Sequence, residues 1–262
     1  MQARDYCMTI VRFGYCTGIA LMCSAFMLLS VYSTLQLGKF DFSEPDMTWR
    51  VQDGFNLVDL LPQLLPAQYD SVNVQGKPEI YCGLLTLVLM PLFYLNKKVS
   101  RKKKIGYSLL IAVMVMCMLI TPIDMMWHGG QVPNWLPFRY AFLLSFVFLT
   151  MAATAFANRD GIEKKHLIGS AVIMAIIIAI VAGLKFDQMA KGAVWISAAL
   201  MGIYLILLYF MLGGKITQGK RGVSVALTTM MLIMVGGEAT YNAVDSMKDI
   251  DKEVAYSTRA SY

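Results

Sequence analysis

The sequence predicts an all-α fold: a polytopic integral membrane helix bundle with about seven transmembrane helices and a short external interfacial helix. Three observations predict it. The 262 residues are 57% hydrophobic and only 15% charged, whereas a soluble domain is about a quarter charged. The apolar residues gather into blocks of roughly 18–25, the length that crosses a bilayer core at about 1.5 Å rise per residue. The period-two alternation of a membrane β-barrel is absent, so each block must satisfy its own backbone hydrogen bonds as a helix.

The elements follow in order. The first span runs from about Phe13 to Leu37, after Arg4 and Arg12. Its apolar stretch is too long for a secretory signal peptide and lacks a small-residue cleavage site, so it reads as an anchor. The second span covers about Ile80 to Leu95 and is followed by the basic run Lys97, Lys98 and Arg101 to Lys104. The third covers Ile105 to Ile120, the fourth Tyr140 to Ala157, the fifth Leu167 to Leu184, the sixth Val194 to Leu212 and the seventh Val223 to Ala239. Residues 1–240 form the predicted membrane bundle. An external loop over 38–79 carries the interfacial helix at about 55–65, where Phe55, Val58, Leu61 and Leu65 recur at helical spacing over too few residues to span. Residues 241–262 read as an external polar tail or the opening of an extracellular domain.

Charge sets the expected orientation. The net charge of +6 would suit nucleic-acid binding in a soluble protein. Here most Lys and Arg lie in the short segments 97–104, 159–165 and 215–221 and near the N-terminus, so they read as topology signals and no nucleic-acid partner is expected. The positive-inside rule places the N-terminus in the cytoplasm and the C-terminus outside. The five cysteines sit in or beside apolar blocks without metal-ligand spacing and read as packing residues. No P-loop, nucleophile elbow or zinc motif occurs. No cofactor is evident, and no ligands for a divalent metal are identified.

The segment that concentrates chemistry is Pro122 to Phe142. It holds Asp124, Trp127, His128, Gln131, Asn134, Trp135, Arg139 and Tyr140 in one external turn and the helix start after it. Asp124 and His128 are four apart and share a face if the third helix persists that far. A carboxylate beside an imidazole suits acid–base and phosphate chemistry, and Arg139 can clamp a phosphate through two N–H donors. The bland reading stands beside this one. Trp127, Trp135 and Tyr140 also suit an interfacial aromatic belt, with His128 and Arg139 among lipid headgroups. Asp59, Gln63, Gln68 and Asp70 read as a solvated loop, and Glu238 as a helix boundary.

The run WHGGQVPNWLPFRYAFLLSF, from Trp127 to Phe146, resembles the signature turn of the bacterial YfhO family of polytopic membrane proteins. Tyr69 to Val99 and the stretch from Glu238 to Tyr262 resemble further segments of that family. The resemblance implies a relation to GT-C membrane glycosyltransferases, which take a sugar from a polyprenyl-phosphate carrier at the external face and attach it to a cell-envelope polymer such as a teichoic acid. It implies a bacterial plasma-membrane location, with membrane lipid, the sugar carrier and the polymer acceptor as partners. By the same resemblance, Arg139 and His128 hold the carrier phosphate, Asp124 orients His128, Trp127 and Trp135 border the sugar or lipid, and Gln131 and Asn134 bind the sugar. Family members are longer, and the acidic residue of the first external loop is not matched, so the chain is expected to be a partial one lacking the opening helices and an extracellular domain. A lipid-linked sugar transporter and a non-catalytic scaffold are the alternatives.

Overall fold

The computed structural model describes residues 3–38, 48–52, 54–68, 76–130, 133, 137–184, 186, 192–212 and 221–253. The chain divides after Asp46 into two compact units. The described residues of the first form helix α1 (Ala3–Gly38), whose long apolar side chains, such as Phe13 and Phe26, are exposed. The second contains α2 (Leu84–Leu95), α3 (Arg101–Leu119), α4 (Thr121–Trp127), α5 (Ala141–Ala157), α6 (Lys164–Leu184), α7 (Ala193–Leu212) and α8 (Arg221–Glu253). Among the described residues there is no strand, only one isolated antiparallel bridge between Val51 and Ile120.

α2 is the centre of the second unit. It packs against α5, α6 and α7, α3 packs on α5, and α8 packs on α7. One apolar core joins Leu84, Val88 and Leu92 of α2 to Met174 of α6 and to Met201 and Tyr204 of α7. A second gathers Phe55, Ile80, Met118, Tyr140 and Leu144 at the end where segments 50–65 and 121–140 meet. Faces turned away from these cores carry Phe142, Phe146, Ile168, Ile176, Trp195 and Leu232, all exposed. Such a continuous apolar exterior matches a hydrocarbon solvent.

α1, α6, α7 and α8 contain windows long and apolar enough to cross a membrane: Tyr6–Ser33, Lys164–Leu184, Ala193–Leu212 and Gly222–Lys248. α2 and α5 are apolar but shorter, and α3 opens with four consecutive basic residues. The seven-span expectation therefore rests on three helices that fall outside that measure. The 12 residues of α2 rise only about 18 Å, against a hydrocarbon core of about 30 Å.

Several expected boundaries change. The second helix is expected from Ile80, but it begins at Leu84, because Gly83 sits at φ +96 and residues 80–83 are not helical. The interfacial helix expected at about 55–65 is replaced by two short 3-10 turns, Leu57–Leu60 and Pro62–Leu64. Pro62 has no N–H to extend a helix, and Ala67 at φ +60 ends the run. Phe55, Gln63 and Leu65 face inward while Leu57 and Val58 are exposed. The last described helix does not stop near Ala239 but continues to Glu253, so more than half of the expected 241–262 tail is helical.

At the basic end, loop 96–100 and loop 158–163 are stitched by Asn96. Its Nδ2 donates to the Asn158 carbonyl at 2.9 Å and its Oδ1 accepts from Lys98 N at 2.8 Å. Gly161 is required there: a Cβ would lie 2.1 Å from Asn96 Oδ1 and 2.9 Å from Lys98 Cγ. Exposed Glu163 pairs with Lys165 at 2.8 Å and with Lys97. Its hydrogen bonds to Lys165 and Lys97 hold its carboxyl down at about 2.

Candidate functional site

The candidate site begins where the third helix breaks. Pro122 lacks an N–H, and its ring would clash with the carbonyl four residues earlier in a continuous helix. Ile120 accordingly leaves helical geometry at φ −103 and ψ 110. Segment 50–52 satisfies the freed backbone: Gln52 N donates to the Leu119 carbonyl at 2.7 Å, and Thr121 N donates to the Arg50 carbonyl at 3.0 Å. The chain restarts as the seven-residue α4, which carries Asp124 and Trp127 and is capped by His128. Gly129 and Gly130, at φ +71 and +80, supply the left-handed turn that ends it.

Phe138 is also left-handed, at φ +57, which is costly for a residue with a bulky side chain. Its burial against Phe55, with ring centroids 5.2 Å apart, holds it there. The kink sends the next two side chains apart. Arg139 is exposed and borders a cleft of about 340 Å³ with Lys77, Glu79 and Phe142. Tyr140 turns inward.

Tyr140 organises the cluster. Its hydroxyl donates to Asp124 Oδ1 at 2.7 Å and lies 3.0 Å from the Cys117 carbonyl. Its ring stacks on Trp127, with centroids 4.8 Å apart and planes at 20°. Trp127 remains half exposed, while Asp124 is 1% exposed. His128 Nε2 lies 3.7 Å from Asp124 Oδ1, beyond hydrogen-bond range. This buried nitrogen has no hydrogen-bond partner among the described residues. Burial raises the Asp124 carboxyl above the usual carboxylate range, against the opposing effects of Tyr140 and His128. Burial, reinforced by the positive charge of Arg139, lowers His128 despite Asp124. Burial thus works against the charged form of each group. The cluster offers a buried carboxyl, an imidazole and an aromatic platform beside a cleft bordered by Arg139 and Lys77.

Asp124, Trp127 and His128 therefore come together with Tyr140, and Arg139 projects to the neighbouring cleft. Gln131, Asn134 and Trp135 lie outside the described residues. Of the weaker candidates, Asp59 holds Lys77 at 3.0 Å, Gln63 is buried, Gln68 donates to the Ala67 carbonyl at 3.2 Å, and Asp70 is outside the described residues.

Glu238 has a larger place than its sequence position suggested. It is 3% exposed. Its Oε1 accepts from the Tyr81 hydroxyl and from Leu84 N, both at 2.6 Å, and its Oε2 accepts from the Tyr204 hydroxyl at 2.7 Å. One carboxylate thus joins α8 to α7 and to the first amide of α2, where the helix dipole also favours a negative charge. One turn on, Asn242 Oδ1 accepts from Ala67 N at 2.8 Å. A carboxylate at the end of an apolar run looks like a boundary. The available signal was Tyr81 and Tyr204, polar tips at apolar positions that need acceptors.

The family described as bacterial membrane protein YfhO matches residues 2–262. The chain belongs to the YfhO family. No curated protein and no solved structure matches it. The match takes in the whole Pro122–Phe142 segment and Glu238, so both clusters belong to the YfhO region of the chain. Among the described residues of this YfhO-family protein, no group of three His, Cys, Asp or Glu side chains is placed to hold a metal ion.

Proposed function

We propose that this YfhO-family protein is a GT-C-like membrane glycosyltransferase, or a portion of one, that handles a polyprenyl-phosphate-linked sugar at the external face of the bacterial plasma membrane. The sugar is destined for a cell-envelope polymer such as a teichoic acid. The N-terminus lies in the cytoplasm, seven helices cross, and the C-terminus lies outside. The observation that carries the reading is the pairing of a half-exposed aromatic platform, Trp127 on Tyr140, with Arg139 at the adjoining cleft. Aromatic faces suit the apolar face of a sugar, and a guanidinium suits its phosphate. Lys77 adds positive charge at the same cleft, although its ammonium is also held by Asp59 and the Gly54 carbonyl. Asp124 and His128 sit behind the platform, where Asp124 keeps it in place by accepting from the Tyr140 hydroxyl. The catalytic base is not assigned.

The test is binding of a polyprenyl-phosphate sugar to the purified protein in detergent. Wild type is expected to bind, and Arg139→Ala and Trp127→Ala are each expected to weaken binding about tenfold or more. Binding that is absent, or unchanged in both variants, refutes the carrier site. In a complemented strain, lost sugar transfer with normal carrier flipping supports the enzyme, whereas lost flipping supports a transporter and unchanged transfer a scaffold.

A further inference from the structure

The outward faces of α6 and α7 enclose a groove that the carrier reading does not use. Its wide end, about 690 Å³, is lined by Leu167, Ile168, Leu205 and Ile206, with Lys164 and Lys165 at its rim. Ala171 and Leu205 also line the next cavity, of about 370 Å³, which continues along the same two helices to Trp195. Apart from its lysine rim the groove is apolar and opens to the side, toward the hydrocarbon.

The charges at the wide end have unequal partners. Lys165 is paired with Glu163 at 2.8 Å, and Glu163 also holds Lys97. Asp160 is paired with Lys98 at 3.3 Å, and Arg159 lies over the Phe156 ring at 5.6 Å. Lys164 instead sits 4.0 Å over the Tyr209 ring, inside the groove mouth and beside its apolar wall. Lys164 and Lys165 also open the 21-residue α6, directly after Glu163, whose carboxylate is taken up by Lys165 and Lys97. Cations are unfavourable at a helix N-terminus, and a bound anion there is favoured.

We infer that this groove holds an anionic membrane phospholipid, with its headgroup phosphate on Lys164 and Lys165 and an acyl chain along α6 and α7. Charge complementarity selects an anionic headgroup over a zwitterionic one, and the lateral opening admits a lipid already in the leaflet. Under the positive-inside orientation this is the cytoplasmic leaflet, opposite the proposed sugar site, and the inference stands whether or not that site binds a carrier.

The experiment is native mass spectrometry of the purified protein with phosphatidylglycerol or phosphatidylcholine. Wild type is expected to retain phosphatidylglycerol preferentially. The double variant Lys164→Gln/Lys165→Gln is expected to lose that preference by about tenfold. Gly202→Leu tests the chain path separately. A Cβ at Gly202 meets no atom within 4 Å and Gly202 lines the groove, so leucine fills the space without a protein clash and improves helix propensity. It is expected to reduce binding of both lipids with Lys164 and Lys165 intact. An unchanged preference in the lysine variant, unchanged binding in Gly202→Leu, or polyprenyl phosphate displacing phosphatidylglycerol through the same lysines would each overturn the assignment.

Discussion

Tyr204 carries little beyond one hydroxyl that a phenylalanine would lack, and that hydroxyl serves Glu238 Oε2 at 2.7 Å. Tyr204→Phe keeps the ring in the core but strips a donor from a buried carboxylate. Thermal or denaturant unfolding in detergent is expected to show a loss of about 1.5–3 kcal/mol. A value near zero would mean that water replaces the lost donor at Glu238 Oε2. His128 gives a second residue-scale outcome. Its folded pKa is lowered below the ordinary 6.5 by burial, so the unfolded chain binds that proton more readily. Stability from this group is present above about 6.5 and is lost as pH falls from there toward the lowered value. A His128→Gln protein is expected to show a shallower decline below pH 6.5 than wild type in melting experiments. Asp124, raised by burial, acts in the opposite direction: its native form takes up protons first, so its share of stability grows as pH falls through its raised pKa toward the ordinary 3.8.

At the scale of elements, loop 158–163 is as tightly specified as any helix. Gly161→Ala would push a methyl into Asn96 Oδ1, only 2.1 Å away. Asn96 is fully buried and committed to two hydrogen bonds, so the loop must move. The expected cost is about 1–3 kcal/mol in a melting experiment, with no effect on the carrier binding proposed for the opposite end. Helix content was readable where apolar runs are long and uninterrupted. α5, α6 and α7 start within about three residues of expectation, since only hydrocarbon-length periodicity was needed. The failures have local causes. The start of α2 depends on one positive φ at Gly83, which composition does not reveal. The spacing of Phe55, Val58, Leu61 and Leu65 mimics a helix, but Pro62 divides it into 3-10 turns. In the site, sequence grouped Asp124, Trp127, His128 and Arg139 in one segment. The Asp124–Tyr140 bond crosses a helix break and two glycines, so no fixed repeat could have announced it. Glu238 reads in the sequence as a helix boundary because its donors lie 157, 154 and 34 positions away.

For the whole molecule, the expected arrangement is an odd number of crossings with the termini on opposite sides. A reporter joined after Glu253 separates the alternatives. Alkaline phosphatase fused there is expected to be active in cells, because that enzyme folds only outside the cytoplasm, and a fluorescent protein at the same position is expected to be dark. Reversed signals would place both ends of the chain inside and require an even number of crossings. The short central α2 also bears on biogenesis. Its partners α5, α6, α7 and α8 are all made after it, and the acceptor for its first amide is 154 residues further along the chain. A helix of 12 residues is a poor candidate for independent insertion by the translocon. While the ribosome is still working, α2 must therefore wait in a provisional position. The bundle can close around it only once α8 has arrived and Glu238 caps its start, so a nascent chain halted before α8 would hold the Leu84 amide and the Tyr81 and Tyr204 hydroxyls without their shared acceptor.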